Sequence, residues 1–407
     1  MATFSAVLFV CSTSIAFVGA DLLPCSGVQP PKSERAFRGN NKVVTVDDFR
    51  RLGLPKLPPV VRAYYQSGAD QEQTLRENVL AFGRLRLRPH VLVSVHNRRL
   101  NTTLLGQPVS MPVGIAPTAL QKMAHSEGEI ATAMASAKEG TVMILSTLSS
   151  IALEKVRTEA PQGIIWLQLY VFKNRTVTLE LIRRAEQAGF KAIVLTVDAP
   201  TWGRRIVDER NAFTTPLGIS LGNFPPSRGS QYDHFEKTKG CGLTKYTNDF
   251  FDPSLTWKDV AWLKNVTKLP VVLKGILTAE DASIAVSVGA DAIIVSNHGG
   301  RQLDGTPATI EALPEIVSAV GDRAEVYMDG GVRMGTDVIK ALALGAKAVF
   351  VGRPALWALA YDGRRGVKMM LDVFRTELLR AMALMGRKSV HDLGKQDAVR
   401  QEYYWFK

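Results

Sequence analysis

Residues 291–304 read Asp291-Ala292-Ile293-Ile294-Val295-Ser296-Asn297-His298-Gly299-Gly300-Arg301-Gln302-Leu303-Asp304. The apolar run through Val295 has the pattern of a strand buried on both faces, as parallel sheets require. A histidine and an arginine stand just past its C-terminal end, separated by two glycines that allow a sharp turn. Histidine exchanges a proton near neutral pH, and arginine clamps a carboxylate with paired hydrogen bonds. A base and an anion clamp three residues apart point to proton abstraction beside a carboxylate. The competing reading is a plain strand-to-helix turn with a capping histidine and a solvated arginine.

Outward from this stretch the pattern repeats. Apolar runs occur at Met111–Pro117, Val142–Thr147, Ile164–Tyr170, Ala192–Asp198, Val271–Gly275, Ala292–Asn297, Glu325–Gly330 and Ala348–Arg353. Helical patterns lie between them: residues 125–140, 176–189, 309–321 and 335–345, and a helix opened by the cap Thr278 with Glu280 and Asp281 in its first turn. Eight strand–helix units over about 240 residues predict a TIM (β/α)8 barrel. A doubly wound sheet is the rival, but no Gly-x-Gly-x-x-Gly loop follows an early strand. Residues 43–101 read as an N-terminal helical cap and residues 371–385 as a final amphipathic helix. The connection from Arg205 to Leu255, roughly fifty residues rich in Pro and Gly, leaves the fourth strand and predicts a mobile lid over the site.

The domain reading is an apolar leader and flexible segment over 1–41, then one barrel domain over 42–400. Ala6 to Ala20 is apolar and ends in Val18-Gly19-Ala20, a small-residue cleavage pattern, though no lysine or arginine precedes it. The run is too short to span a membrane comfortably. Three Asn-x-Thr tripeptides begin at Asn101, Asn174 and Asn265 and fit a secreted chain. The chain has 407 residues, 46% hydrophobic and 22% charged, with net charge +12. Its basic residues are dispersed without an aromatic–basic signature, which argues against nucleic acid and for small anionic ligands. Cys11, Cys25 and Cys241 have no metal or redox spacing, and no metal is expected.

In a barrel the C-terminal strand ends converge on one site. Here those ends carry Pro117, Thr118 and Ala119; Ser146; Gln168 and Tyr170; Thr196 and Asp198, with Arg205 beyond; Lys274; Ser296, His298 and Arg301; Asp329, Gly330, Gly331 and Arg333; and Gly352 with Arg353. The last two groups, glycines beside arginines after strands seven and eight, suit a phosphate. Tight turns with surface arginines are the alternative. Lys274, inside an apolar strand, needs a partner. It fits a structural ion pair, a Schiff-base lysine, or a cation facing a reduced cofactor ring.

The whole set resembles the FMN-dependent α-hydroxy acid oxidase and dehydrogenase family, in its glycolate oxidase branch, from about Val43 to Leu393. The motifs are residues 116–125 (Ala116-Pro117-Thr118-Ala119-Leu120-Gln121-Lys122-Met123-Ala124-His125), 296–304 and 329–333. The resemblance implies that Tyr64 and Arg301, assisted by Arg205, hold the substrate carboxylate and that Tyr170 bonds its hydroxyl. It makes His298 the base and Asp198 its partner. Lys274 would face the flavin N1–C2 edge. Pro117 to Leu120, Ser146, Gln168, Thr196 and Ser296 would line the ring or ribityl chain, and Asp329, Gly330, Gly331, Arg333, Gly352 and Arg353 the phosphate. The implied reaction is (S)-2-hydroxy acid to 2-oxo acid, with dioxygen reduced to hydrogen peroxide, in a homotetramer. Two positions depart from glycolate-preferring relatives: Leu148 replaces a tryptophan and Trp202 a leucine, which predicts a shift toward longer or bulkier substrates. The resemblance also implies a peroxisome. The C-terminus Tyr403-Tyr404-Trp405-Phe406-Lys407 lacks a Ser-Lys-Leu-like address, and the apolar N-terminus fits export instead. A same-family dehydrogenase with another electron acceptor, a flavin-free aldolase using Lys274 and a silent binding protein are the competing readings.

Overall fold

The structure, a computed structural model, describes residues 42–224 and 242–404. The leader, the three cysteines and the middle of the long connection lie outside the described residues. Among the described residues no helix is long and apolar enough to cross a membrane.

Eight parallel strands close into a barrel. They are β1 Val113–Ile115, β2 Val142–Leu145, β3 Ile164–Leu169, β4 Ile193–Thr196, β5 Val271–Ile276, β6 Ala292–Val295, β7 Glu325–Asp329 and β8 Ala348–Val351. Neighbours in sequence are neighbours in space, and β8 pairs with β1 through Val349–Val113 and Val351–Ile115. Most strands end one or two residues before the predicted apolar runs do. The residues left over turn off the ladder into the mouth, and they are the ones with chemistry.

Side chains alternate along each strand. Ile144, Trp166, Val194, Val272, Ile294, Tyr327 and Phe350 form one apolar cluster, and Met143, Leu145, Ile165, Leu167, Ile193 and Ile293 belong to the cluster shared with the helices. Trp166, Tyr327 and Phe350 meet pairwise with ring centroids 5.7–5.8 Å apart. An antiparallel hairpin, Thr102–Leu104 with Gln107–Val109, adds Leu104 and Val109 to this cluster and accepts the Trp166 indole N–H on Gln107 Oε1. The hairpin is absent from the sequence reading.

The helical cap is shorter than predicted. It comprises α1 Val46–Gly53, α2 Pro59–Gln66 and α3 Gln73–Leu80. Beyond it Leu85–Leu87 pairs antiparallel with Ala398–Arg400 near the C-terminus, so part of the segment 43–101 is strand and loop. The final helix runs Arg353–Leu384 rather than starting at residue 371. Asp362 and Gly363 are non-helical inside it, which is why its first half does not read as continuous with the second. The connection after β4 is not structureless at its ends: helices form at Ile206–Arg210 and Gly242–Phe250.

Candidate active site

One cleft opens at the C-terminal ends of the strands, with about 1080 Å³ of space including the part open to solvent. Tyr64, Pro117, Thr118, Ala119, Ser146, Leu148, Gln168, Tyr170, Thr196, Trp202, Arg205, Lys274, His298, Arg301, Asp329, Gly330, Gly331, Arg333, Gly352 and Arg353 all line it. Asp198 and Ser296 do not line it; they stand behind the side chains that do.

His298 is the centre of the polar half. Its Nδ1 lies 2.8 Å from Asp198 Oδ1. Burial tends to raise the Asp198 pKa, but the attraction of His298 and Lys274 overcomes it and holds the carboxyl below its ordinary value. An ionised carboxylate only accepts, so Nδ1 carries the proton and Nε2 keeps its lone pair. Burial pushes the His298 pKa down; Asp198 opposes this, while Lys274 and Arg205 reinforce it. The resting imidazole is therefore neutral at neutral pH, as a base must be.

The backbone is bent to place it. His298, Gly299 and Gly300 have φ of 57°, 63° and 72°. The left-handed region costs a non-glycine residue roughly 1–2 kcal/mol, a strain that clusters at functional sites. Ser296 Oγ accepts the His298 N–H at 3.0 Å and bonds to Asp329 Oδ1 at 2.6 Å, with Lys274 Nζ at 3.0 Å. Lys274 Nζ also lies 3.6 Å from Asp329 Oδ2. The buried lysine is thus an ion-pair member whose end also faces the cleft. A bulge in β5 accompanies Gly275, where a Cβ would come within 2.6 Å of Asp198 Cβ.

Four arginines line the cleft, and three of them, Arg205, Arg301 and Arg353, differ in what they bond. Arg301 donates Nη1 to the carbonyls of Tyr64 and Ser67 and lies 5.1 Å from the Tyr64 ring centroid. Arg353 spends Nε, Nη1 and Nη2 on the carbonyls of Tyr65, Gly299 and Ser67, which ties the cap to the barrel. Arg205 is 3% exposed, and its three nitrogens have no hydrogen-bond partner among the described residues. It stacks 4.5 Å over Trp202, with Asp208 Oδ2 at 3.7 Å. Burial, then Arg301, lowers its pKa to about 9. A buried guanidinium with donors to spare is built for an anion, and a carboxylate satisfies it.

Aromatic rings from the two ends of the long connection cover the tyrosines. Phe213 stacks on Tyr64 at 4.2 Å, and Phe251 stacks on Tyr170 at 4.5 Å. Burial raises the pKa of both phenols, so both stay protonated donors. Trp202 stands 6.4 Å from the rings of Tyr170 and His298. Gln302 fixes the loop beneath by donating to the carbonyls of Asp198 and Thr201.

The other half of the cleft suits a flat ring with a phosphate tail. Gln168 joins Thr147 N–H and Thr196 Oγ1, setting polar groups along one wall. At the far end Arg333 donates Nη1 to the Val332 carbonyl and stacks 4.9 Å from Trp357. Gly330 and Gly331 have φ of 97° and 82°. A Cβ on Gly331 would meet the Asn78 carbonyl oxygen at 1.8 Å, so only glycine fits. An arginine beside such a turn and Gly352 could cradle a phosphate, and the Lys274 end that faces the cleft could lie against an electron-rich ring. These residues fit FMN.

The strand-end rule misses the cap. Leu75, Asn78 and Val79 of α3 also line the cleft. α3 starts after Glu72, which is left-handed and gives no side-chain cap. Asp304 caps it from the barrel instead, accepting the N–H groups of Gln71, Gln73 and Thr74 at 2.8–3.1 Å. The only signal for this in the sequence is the aspartate that ends the 296–304 motif.

Comparison with known proteins agrees with this geometry. Glycolate oxidase 3 of Arabidopsis thaliana is 50% identical over 354 residues, covering 87% of this chain and 95% of that one. 2-Hydroxyacid oxidase 1 of Homo sapiens is 47% identical, covering 87% and 96%. A crystal structure of mandelate oxidase with (S)-4-hydroxymandelic acid superposes with TM-score 0.83 at 40% identity, covering 88% of this chain and 98% of that one. The sequence pattern of the FMN-dependent dehydrogenases matches residues 55–401, the span that holds every residue of the cleft, and this chain belongs to that family.

Proposed function

We infer that the barrel mouth oxidises (S)-2-hydroxy acids to 2-oxo acids, with dioxygen leaving as hydrogen peroxide. The observation that carries the mechanism is the pairing of a neutral His298, oriented by Asp198, with an Arg205 guanidinium that keeps unused hydrogen-bond donors beside Asp208, across one cleft. Arg205 and Arg301 bind the substrate carboxylate, with Tyr64 between them. Tyr170 bonds the substrate hydroxyl. His298 Nε2 takes one proton, and Asp198 offsets the charge that the imidazole then acquires. A bound FMN would supply the redox chemistry, accepting the electron pair together with the second proton, so that two electrons and two protons in all reach dioxygen and leave as hydrogen peroxide. Ser146, Gln168, Thr196 and Lys274 would hold its ring; Arg333, with the turns at Gly330, Gly331 and Gly352, would hold its phosphate. Most of the Arg353 guanidinium is committed to structure, which leaves Arg333 as the main side-chain anchor. The same reading extends to a homotetramer.

The substrate preference is for bulkier side chains than that of glycolate. Leu148 is buried at the cleft wall, where a tryptophan would fill space, and Trp202 stands by His298 and Tyr170. Purified holoprotein mixed anaerobically with each acid gives the test. The flavin bleaches with lactate, 2-hydroxyoctanoate or mandelate faster than with glycolate, and air restores the colour with release of peroxide. Turnover confined to glycolate overturns the preference. Bleaching without peroxide on aeration overturns the oxidase.

A further inference from the structure

We propose that Asn78 of the cap and Asn297 of the barrel are positioning residues that link the phosphate-binding turn to the placement of His298. The inference rests on the reading of His298 as the base. The two amides form a reciprocal pair. Asn78 Nδ2 donates to Asn297 Oδ1, and Asn297 Nδ2 donates to Asn78 Oδ1, both at 2.8 Å. Asn297 Nδ2 also donates to the Pro307 carbonyl at 3.1 Å, and its Oδ1 accepts the Gly300 N–H at 3.2 Å. All four hydrogen-bonding positions of the Asn297 amide are filled. The residues are 2% and 3% exposed, so a lost partner leaves a buried polar group unpaid by water.

Each end of the pair touches one half of the site. On one side, Asn297 immediately precedes His298 and grips Gly300, which brackets the left-handed run that aims the imidazole. On the other side, the backbone of Asn78 fills the space that a side chain at Gly331 would need. Asn78 Oδ1 accepts the Thr309 N–H at 3.3 Å, and Thr309 Oγ1 donates to the Gly330 carbonyl at 3.3 Å. A displacement of the Gly330–Gly331 turn therefore reaches Asn297 through one buried residue. Leucine at either position would match the volume and lose every bond. Aspartate would keep the acceptors and lose the donors.

The test uses holoprotein with Asn78→Ala, Asn78→Asp and Asn297→Asp. Three quantities are measured: the rate of flavin bleaching at saturating 2-hydroxy acid, the KM, and the rate of FMN release on dilution, read by flavin fluorescence without substrate. Asn78→Ala is expected to slow bleaching about tenfold, to leave KM within about threefold, and to speed FMN release about tenfold, the scale of one or two lost buried hydrogen bonds. The aspartates show both losses at smaller size, and they carry the test if the alanine variant fails to fold. A lower melting temperature with bleaching and release both unchanged overturns the proposal. Loss of only one of the two overturns the linkage. A wild-type flavin that no 2-hydroxy acid bleaches overturns the functional reading alone, because FMN release is scored independently.

Discussion

The two ends of this barrel are made from the same eight strands and obey opposite rules. At the hairpin end Trp166, Tyr327 and Phe350 pack ring to ring, fully buried, and the polar atoms there have partners: the Trp166 indole bonds to Gln107, and Glu325 accepts from Tyr327, Lys347 and the Leu105 N–H. At the mouth Arg205 and Asp198 Oδ2 lack partners among the described residues, and His298 is held left-handed. Packed rings and satisfied polar groups stabilise the first end. The second end keeps polar groups without hydrogen bonds that a substrate would complete, at some cost to the fold.

That contrast can be broken most strongly at His298. His298→Asn keeps a side chain tolerant of the left-handed backbone but removes the base, so anaerobic flavin bleaching falls by about 10²–10⁴ while the melting temperature stays unchanged. A variant that bleaches at the parent rate removes His298 from the mechanism. The mirror experiment is Trp166→Ala, which empties the apolar end. It should cost about 3–5 kcal/mol in denaturant unfolding and leave turnover of the folded fraction intact. A comparable loss of kcat would show that the ends are coupled.

A smaller effect sharpens the picture of the mouth. Arg205 has a pKa lowered to about 9 by burial. At the pH of assay it is a cation and would bind carboxylate. Arg205→Met should raise KM at pH 7 by about tenfold or more, the scale of a lost charge-assisted hydrogen bond. The smallest effect concerns specificity. Exchanging the pair, Leu148→Trp with Trp202→Leu, should move the glycolate-to-mandelate ratio of kcat/KM toward glycolate by about 10–200-fold, the scale of an apolar pocket contact.

The barrel itself was legible because parallel strands buried on both faces must be apolar throughout, and eight such runs alternate with helical patterns, one of them opened by the cap Thr278, which accepts from Asp281 N–H. The mouth was legible in part, because in this topology any polar residue just after a strand belongs to the site. Tyr64 came only from resemblance, and Asn78, Leu75 and Asp208 were missed. They lie in segments with no strand rhythm, where local pattern says nothing about the barrel face that they will cover.

Sequence alone determined the period, the number of units and the chemical type at each strand end, since these depend on neighbours along the chain. Tertiary structure decided which guanidinium keeps its hydrogen-bond donors unused. Arg205, Arg301 and Arg353 are the same side chain beside similar loops. Only the carbonyls that packing brings to Arg301 and Arg353, and withholds from Arg205, separate structural ties from donors left unused.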